Sequence, residues 1–233
     1  MDAPRTSTTA MLDWLAATGA ASALELATVA GLSRRAVLVR LRALEHAGLV
    51  RSTELLRAEP ALHALTRRGL RAAGRPELDP LAISASSFGH LVAVARVAAA
   101  LRALGESVGG EHELRAFERI EGRALASAAV GVASDGGTAW HRPDLVCWRA
   151  GAPLAIEVEL TVKAPERLRT IVRGWARSRL VEGVVYYATA PAARALAAAL
   201  RSESAHEAVA VVALERAGEL PAFRPTSSNP SCA

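Results

Sequence analysis

The residues with the most chemical capacity lie in one stretch, HRPDLVCWRAGAPLAIEVELTVKAPERL, residues 141–168. It holds Asp144, then Glu157 and Glu159, then Lys163 four positions further on. Leu145 to Trp148 and Leu154 to Leu160 are apolar, β-rich runs, and the intervening Ala150-Gly151-Ala152-Pro153 predicts a β-hairpin. Strand alternation then sends Ile156, Val158 and Leu160 to one face and Glu157 and Glu159 to the other, away from the apolar layer. A four-residue loop pairs position 149 with 154, hence 146 with 157 and 144 with 159. A shift of two residues sets Asp144 opposite Glu157 instead, and in either register the three acids share a face.

Like charges placed opposite one another on a sheet repel, so such a trio needs a cation. An all-oxygen set with no nearby cysteine or histidine pair favours Mg²⁺ or Mn²⁺ over zinc. The candidate catalytic residues are Asp144 and Glu157 as metal ligands, Glu159 as ligand or base, and Lys163, close enough in chain distance to neutralise or orient an attacking water. Lys163 is the only lysine beside 27 arginines, and an ammonium can lose its proton where a guanidinium cannot. The bland alternative is a solvated acidic face on an edge hairpin, with Arg142 or Arg149 as counter-ions. His90 is expected to be a core or interface histidine, because no second ligand lies three or four residues from it.

The first eighty residues carry a different signal. Apolar spacing predicts helices over Ala10 to Ala17, Ser22 to Ala30 and Arg34 to Ala47. Gly31 makes the turn between the last two, Ser33 is the N-cap and Gly48 the stop. On the third helix Val37, Leu41 and Leu44 share one narrow arc while Arg35, Val39, Arg42 and His46 share the opposite one. Leu49 to Leu56 and Ala61 to Leu65 read as strands around a turn at 57–60, and Thr66 caps a further short helix.

Between Gly31 and Arg75 ten arginines face three acids, a local net charge of +7 against +5 for the whole chain. Charge of that density suits a phosphate backbone. Ser33, Arg34, Arg35, Arg40, Arg42, Arg51 and Arg57 are the candidate DNA-binding residues. Arg35 and Arg42 are expected at a groove, and Arg34, Arg40, Arg51 and Arg57 on phosphate.

Three resemblances follow from these residues. LSRRAVLVRLRALEHAGLVRS followed by LTRRGLRAAG resembles a winged helix-turn-helix over about residues 8–75. Pro143-Asp144 with Glu157-Val158-Glu159 resembles the PD-(D/E)XK nuclease motif, with Glu159 standing where that family usually has lysine. His141, Pro143, Asp144, Glu157, Glu159 and Lys163 also match in order the His-x-Pro-Asp and Glu-x-Glu-x-x-x-Lys pattern of the replication-relaxation family. That likeness spans most of residues 8–190 and implies a DNA-binding protein of a plasmid or mobile element. Its metal-dependent nuclease-like domain would act in replication, relaxation or mobilisation as an endonuclease or nickase on double-stranded DNA. The alternative is a transcriptional or replication regulator whose nuclease-like domain is inactive and serves dimerisation or effector binding.

The expected architecture is mixed α/β: a DNA-binding domain over 8–75, a proline-bearing linker over 76–82, a nuclease-like domain over 83–224 and a disordered tail over 225–233. Within the second domain the pattern gives a long helix from Ser84 to Leu104. An Arg-rich helix from Pro165 to Leu180 follows, then a strand at 181–188, a helix at 191–201 and a strand at 208–214. The region 105–137 is the least patterned; Glu111 and Glu113 precede a short helix, and the sequence does not decide whether they approach a site.

Composition narrows the class further. With 51% hydrophobic and 22% charged residues the chain is neither disordered nor a disulfide scaffold. Cys147 and Cys232 lie too far apart for a metal knuckle. The longest apolar run is interrupted by Arg96 and Arg102 and the first ten residues lack a signal-peptide layout, so a cytoplasmic protein without a membrane span is expected. A tyrosine relaxase fits poorly, since none of the six histidines has His-hydrophobic-His spacing and Tyr186 and Tyr187 sit in an apolar strand.

Overall fold

Helix ends in the first third of the chain are set by local chemistry. The computed structural model describes residues 7–221 and Phe223, so the tail expected over 225–233 and Cys232 lie outside the described residues. Helix α1 spans Ser7–Thr18 and leads through the two-residue strand β1, Ala20–Ala21, to α2, Ala23–Ala30. Ser22 and Glu25 form a reciprocal capping box at the start of α2, and Gly31 ends that helix in the left-handed conformation that favours glycine. Helix α3, Arg34–His46, opens on Ser33, whose hydroxyl accepts the Ala36 amide. Val37, Leu41 and Leu44 are buried and Arg35, Val39, Arg42 and His46 are exposed, the division that the helical wheel predicts.

Strands β2, Val50–Thr53, and β3, Leu62–Leu65, pair antiparallel, and β1 adds to the other side of β3. An eight-residue loop, 54–61, joins β2 to β3, longer than the tight turn expected. Helix α4, Arg67–Ala72, then packs so closely that a Cβ on Gly69 would lie 2.0 Å from the Leu49 carbonyl oxygen. The segment 75–84 is irregular, but it is packed: Leu78 is fully buried and Arg67 donates to the Leu78 carbonyl and to Asp79.

The rest of the chain is a mixed α/β unit. Helix α5, Ala85–Ala103, is followed by β4, Ser107–Gly110, and α6, Glu111–Glu121. A separate hairpin of β5, Ala128–Val132, and β6, Thr138–His141, precedes β7, Leu145–Trp148, and β8, Leu154–Glu159. Helix α7, Pro165–Arg177, strand β9, Gly183–Ala188, helix α8, Ala190–Glu203, and strand β10, Val209–Ala213, complete the unit. The five-stranded sheet has the order β10-β9-β8-β7-β4, with β4, β7 and β8 antiparallel and β8, β9 and β10 parallel.

Both faces of this sheet are covered. Ile156, Val158, Val185 and Tyr187 join Val94, Val97 and Leu101 of α5 on one face. Val146, Ala155, Val184 and Tyr186 join Leu168, Val172 and Trp175 of α7 and Leu196 of α8 on the other. Strand β8, buried at all six positions, is the central strand. The α5 face is continuous with the side chains of α1, α2 and α3, so the first eighty residues and the sheet share one apolar core.

Candidate functional site

Register decides what β8 can offer. Leu145 pairs with Ile156 and Cys147 with Leu154, so continuing that register one residue past the ladder sets Asp144 level with Glu157, two residues from the alignment that a four-residue loop gives. The connection is wider, 148–153: Trp148 keeps its partner Ser107 on β4 but has none on β8, and Arg149 turns away to Glu106 and Glu182. Asp144 lies just before β7, and its Oδ2 accepts the Val158 amide at 2.7 Å, fixing that carboxylate against the end of β8.

The acids do not face open water. Glu157 and Glu159 are each only 5% exposed, because α7 covers their face of the sheet. This excludes a solvated acidic face on an edge hairpin; Arg142, one of the counter-ions such a face would use, pairs with buried Glu118. Glu157 Oε1 lies 2.6 Å from His141 Nε2 and accepts the Trp175 indole N–H at 3.1 Å. Asp144 Oδ1 lies 2.9 Å from His90 Nε2. Glu159 takes the Lys163 ammonium as its ion-pair partner.

His90, Asp144, His141, Glu157 and Lys163 line one cleft of ≈ 390 Å³ together with Glu111, Arg115, Trp140, Arg142 and Val158. Glu159 is not among the lining residues; its carboxylate is engaged with Lys163 at the cleft's edge. Glu111 reaches the cleft, and its backbone N–H donates to the Asp144 carbonyl at 3.0 Å, while Glu113 turns to Arg75.

The electrostatics follow from burial and pairing. The hydrogen bond to Asp144 raises His90 above the usual imidazole value, with burial working against it. Burial also opposes a charge on His141, but the Glu157 carboxylate outweighs it and the net shift is upward. Burial pushes the Glu157 carboxyl up despite the neighbouring imidazole. Lys163 is lowered by burial, with Glu157 and Asp144 pulling the other way.

Two histidines were missed by reasoning from sequence neighbours. His90 is not a packing residue: its partner Asp144 is 54 positions away, beyond any i+3 or i+4 test. His141 appears in the sequence only as part of a motif, yet it holds Glu157 directly. The expectation of an oxygen-only site without nearby imidazoles is therefore corrected by both.

The donor chemistry still suits a hard divalent cation. Mg²⁺ typically takes one or two protein carboxylates and fills its remaining positions with water and substrate phosphate. Asp144, just before β7, and Glu157, on β8, line one cleft and are the two carboxylates that could hold such an ion. Among the described residues no group of three or more His, Cys, Asp or Glu side chains is arranged to hold a metal ion by itself.

On the N-terminal unit, Arg34, Arg35, Arg42 and Arg57 are exposed. Arg40 is half-buried and bonds the Ala36 carbonyl, and the Arg51 guanidinium bonds the Leu81 carbonyl. Of the ten arginines counted there, Arg75 points inward to Glu77 and Glu113 and lies over the Phe117 ring.

No family model, no curated protein and no solved structure matches this chain. Among the described residues no helix is long and apolar enough to cross a membrane.

Proposed function

We propose that the chain is a DNA-binding protein of a plasmid or mobile element that cuts or nicks DNA with a divalent metal, joining a winged helix-turn-helix to a PD-(D/E)XK-like domain. The observation that carries the reading is that Asp144, fixed on the Val158 amide of β8, and Glu157 of β8 line one cleft with Lys163. An antiparallel β4-β7-β8 run continued by parallel β9, with α5 and α7 on opposite faces, supports the nuclease-like assignment. For the N-terminal unit, the support is the Gly31 turn between α2 and α3, the β2-β3 hairpin, and the arginines on the exposed face of α3.

In this reading Asp144 and Glu157 hold Mg²⁺ or Mn²⁺, which when bound supplies Lewis-acid stabilisation of charge on the phosphoryl group. The chain's own groups set the geometry. The Val158 amide fixes Asp144, and Trp175 and His141 fix Glu157, as partners of ligands commonly do. Lys163 places a positive charge beside the phosphate while balancing Glu159. Arg35 and Arg42 reach toward the major groove, and Arg34 and Arg57 toward phosphate.

Asp144→Asn tests it, since the amide keeps the shape and can still accept from Val158. The variant should lose Mn²⁺ binding and cleavage while duplex affinity stays within about twofold of wild type. Arg35→Ala with Arg42→Ala should weaken duplex binding by roughly 10-fold or more and reduce its salt dependence.

One observation favours a second reading, a transcriptional or replication regulator whose domain no longer cuts. Glu159 occupies the usual lysine position and is buried on Lys163, so both groups are committed to each other. Duplex binding without cleavage under Mg²⁺ or Mn²⁺ would decide for that regulator, its inactive domain serving dimerisation or effector binding.

A further inference from the structure

We infer that Trp140 is a stacking platform for an unpaired base, so that the strand engaged by the cleft is single-stranded or locally opened DNA. The inference rests on the nucleic-acid reading above and names the form of substrate. Trp140 is 41% exposed, whereas each of the other eight aromatic side chains, all among the described residues, is buried or half-buried. What sets this indole apart is its place: it lines the cleft that holds Asp144 and Glu157, where a bound strand would meet it.

Its position is fixed. Trp140 pairs with Ala129 across the β5-β6 hairpin, and α7 meets that hairpin so tightly that a Cβ on Gly174 would lie 2.7 Å from the Ala129 carbonyl oxygen. The next residue, His141, is anchored on Glu157. The backbone bearing the indole is therefore held at a set place relative to the carboxylates, and a bound base would be held likewise.

Charge indicates what kind of contact must hold a strand there. Arg115, Arg142 and Lys163 line the cleft, but each is paired, with Glu111, Glu118 and Glu159 respectively. Asp144 and Glu157 are in turn matched by His90 and His141. Phosphate attraction, the main source of affinity for duplex DNA, is thus largely cancelled here. Stacking needs no net charge and tolerates any base. A paired base offers the grooves only its edges, so an indole finds a π-face only on a base that has left the stack.

The test uses the full chain in EDTA, which prevents cutting, with a fluorescein-labelled 20-nucleotide oligo(dT) strand and a duplex of the same length. Trp140→Ala should weaken single-strand binding by roughly 5- to 150-fold, the range seen for loss of one aromatic stack, and leave duplex affinity unchanged. Trp140→Phe should recover most of the loss, and the unchanged duplex affinity excludes a general packing defect. Equal single-strand affinity for wild type and Trp140→Ala overturns the inference. So does a wild type that binds duplex but no single strand, and that result leaves the DNA-binding reading standing. A wild type that binds neither overturns both.

Discussion

His141 Nε2 and Glu157 Oε1 lie 2.6 Å apart beneath α7, and both groups hold a proton more tightly in the folded protein than their ordinary values allow. The two upward shifts act on stability in the same sense. Each contribution is complete below the group's ordinary value, 4.5 for Glu157 and 6.5 for His141, and is lost as pH rises through the raised folded value. The wild type should therefore lose stability at this pair as pH rises. The thermal midpoint of the wild type should fall relative to that of His141→Asn/Glu157→Gln, which cannot titrate there, as pH rises above the ordinary values of the two groups. Parallel curves would show that the pair does not bind the extra proton.

The Lys163 and Glu159 pair gives a prediction of size. Glu159 is buried and Lys163 is the sole lysine, so Lys163→Met leaves a carboxylate without its cation. The expected cost is about 3 kcal/mol, at the low end for a broken buried pair because the Lys163 side chain is 29% exposed. Adding Glu159→Gln should restore part of it. A urea double-mutant cycle measures the coupling, and simple additivity of the two changes would count against the pair.

Why some of this was legible in the sequence and some was not comes down to the range of the interactions. Ser33, Gly31 and the Val37, Leu41, Leu44 arc mark α3 through contacts within a few residues, and α5 is bracketed by Ser84 and Leu104 in the same way. The placing of Asp144 level with Glu157 was legible because alternation fixes the face and only the loop length was open. The stretch 105–137 was not. Strand β4 is Ser-Val-Gly-Gly, with no alternation to read, and β5 carries an irregularity between Ala129 and Gly131. Both strands exist because β7 and α7 receive them. The burial of Glu157 and Glu159 was hidden for the same reason: a strand that alternates apolar and acidic residues reads as half-solvated, and only the packing of α7 closes its second face.

Gly174 is where that packing is most demanding. A methyl group there would stand 2.7 Å from the Ala129 carbonyl oxygen and 3.1 Å from Val130. Gly174→Ala should push the β5-β6 hairpin away from α7 at a cost of about 2 kcal/mol. Because that hairpin carries Trp140 and His141, amide exchange over 128–141 should accelerate far more than over β9 and β10. Uniform acceleration across the sheet would mean that the hairpin is not an independent plate.

Two adjacent tyrosines on β9 make the last prediction a controlled one. Tyr187 donates its hydroxyl to the Glu219 carbonyl at 2.8 Å, whereas the Tyr186 hydroxyl, buried on the Glu157 face, has as its polar neighbour the Trp175 indole N–H, which is already donated to Glu157 Oε1. An unsatisfied buried hydroxyl carries its full desolvation cost, while a bonded one contributes a net gain. Tyr186→Phe should therefore raise stability by about 1 kcal/mol and Tyr187→Phe should lower it by about the same amount. The ring stays in both variants, so packing is held constant and urea midpoints compare the hydroxyls alone. If Tyr186→Phe instead costs about 1 kcal/mol, the Tyr186 hydroxyl is bonded to the Glu157 cluster, and β9 as well as α7 holds that carboxylate in place.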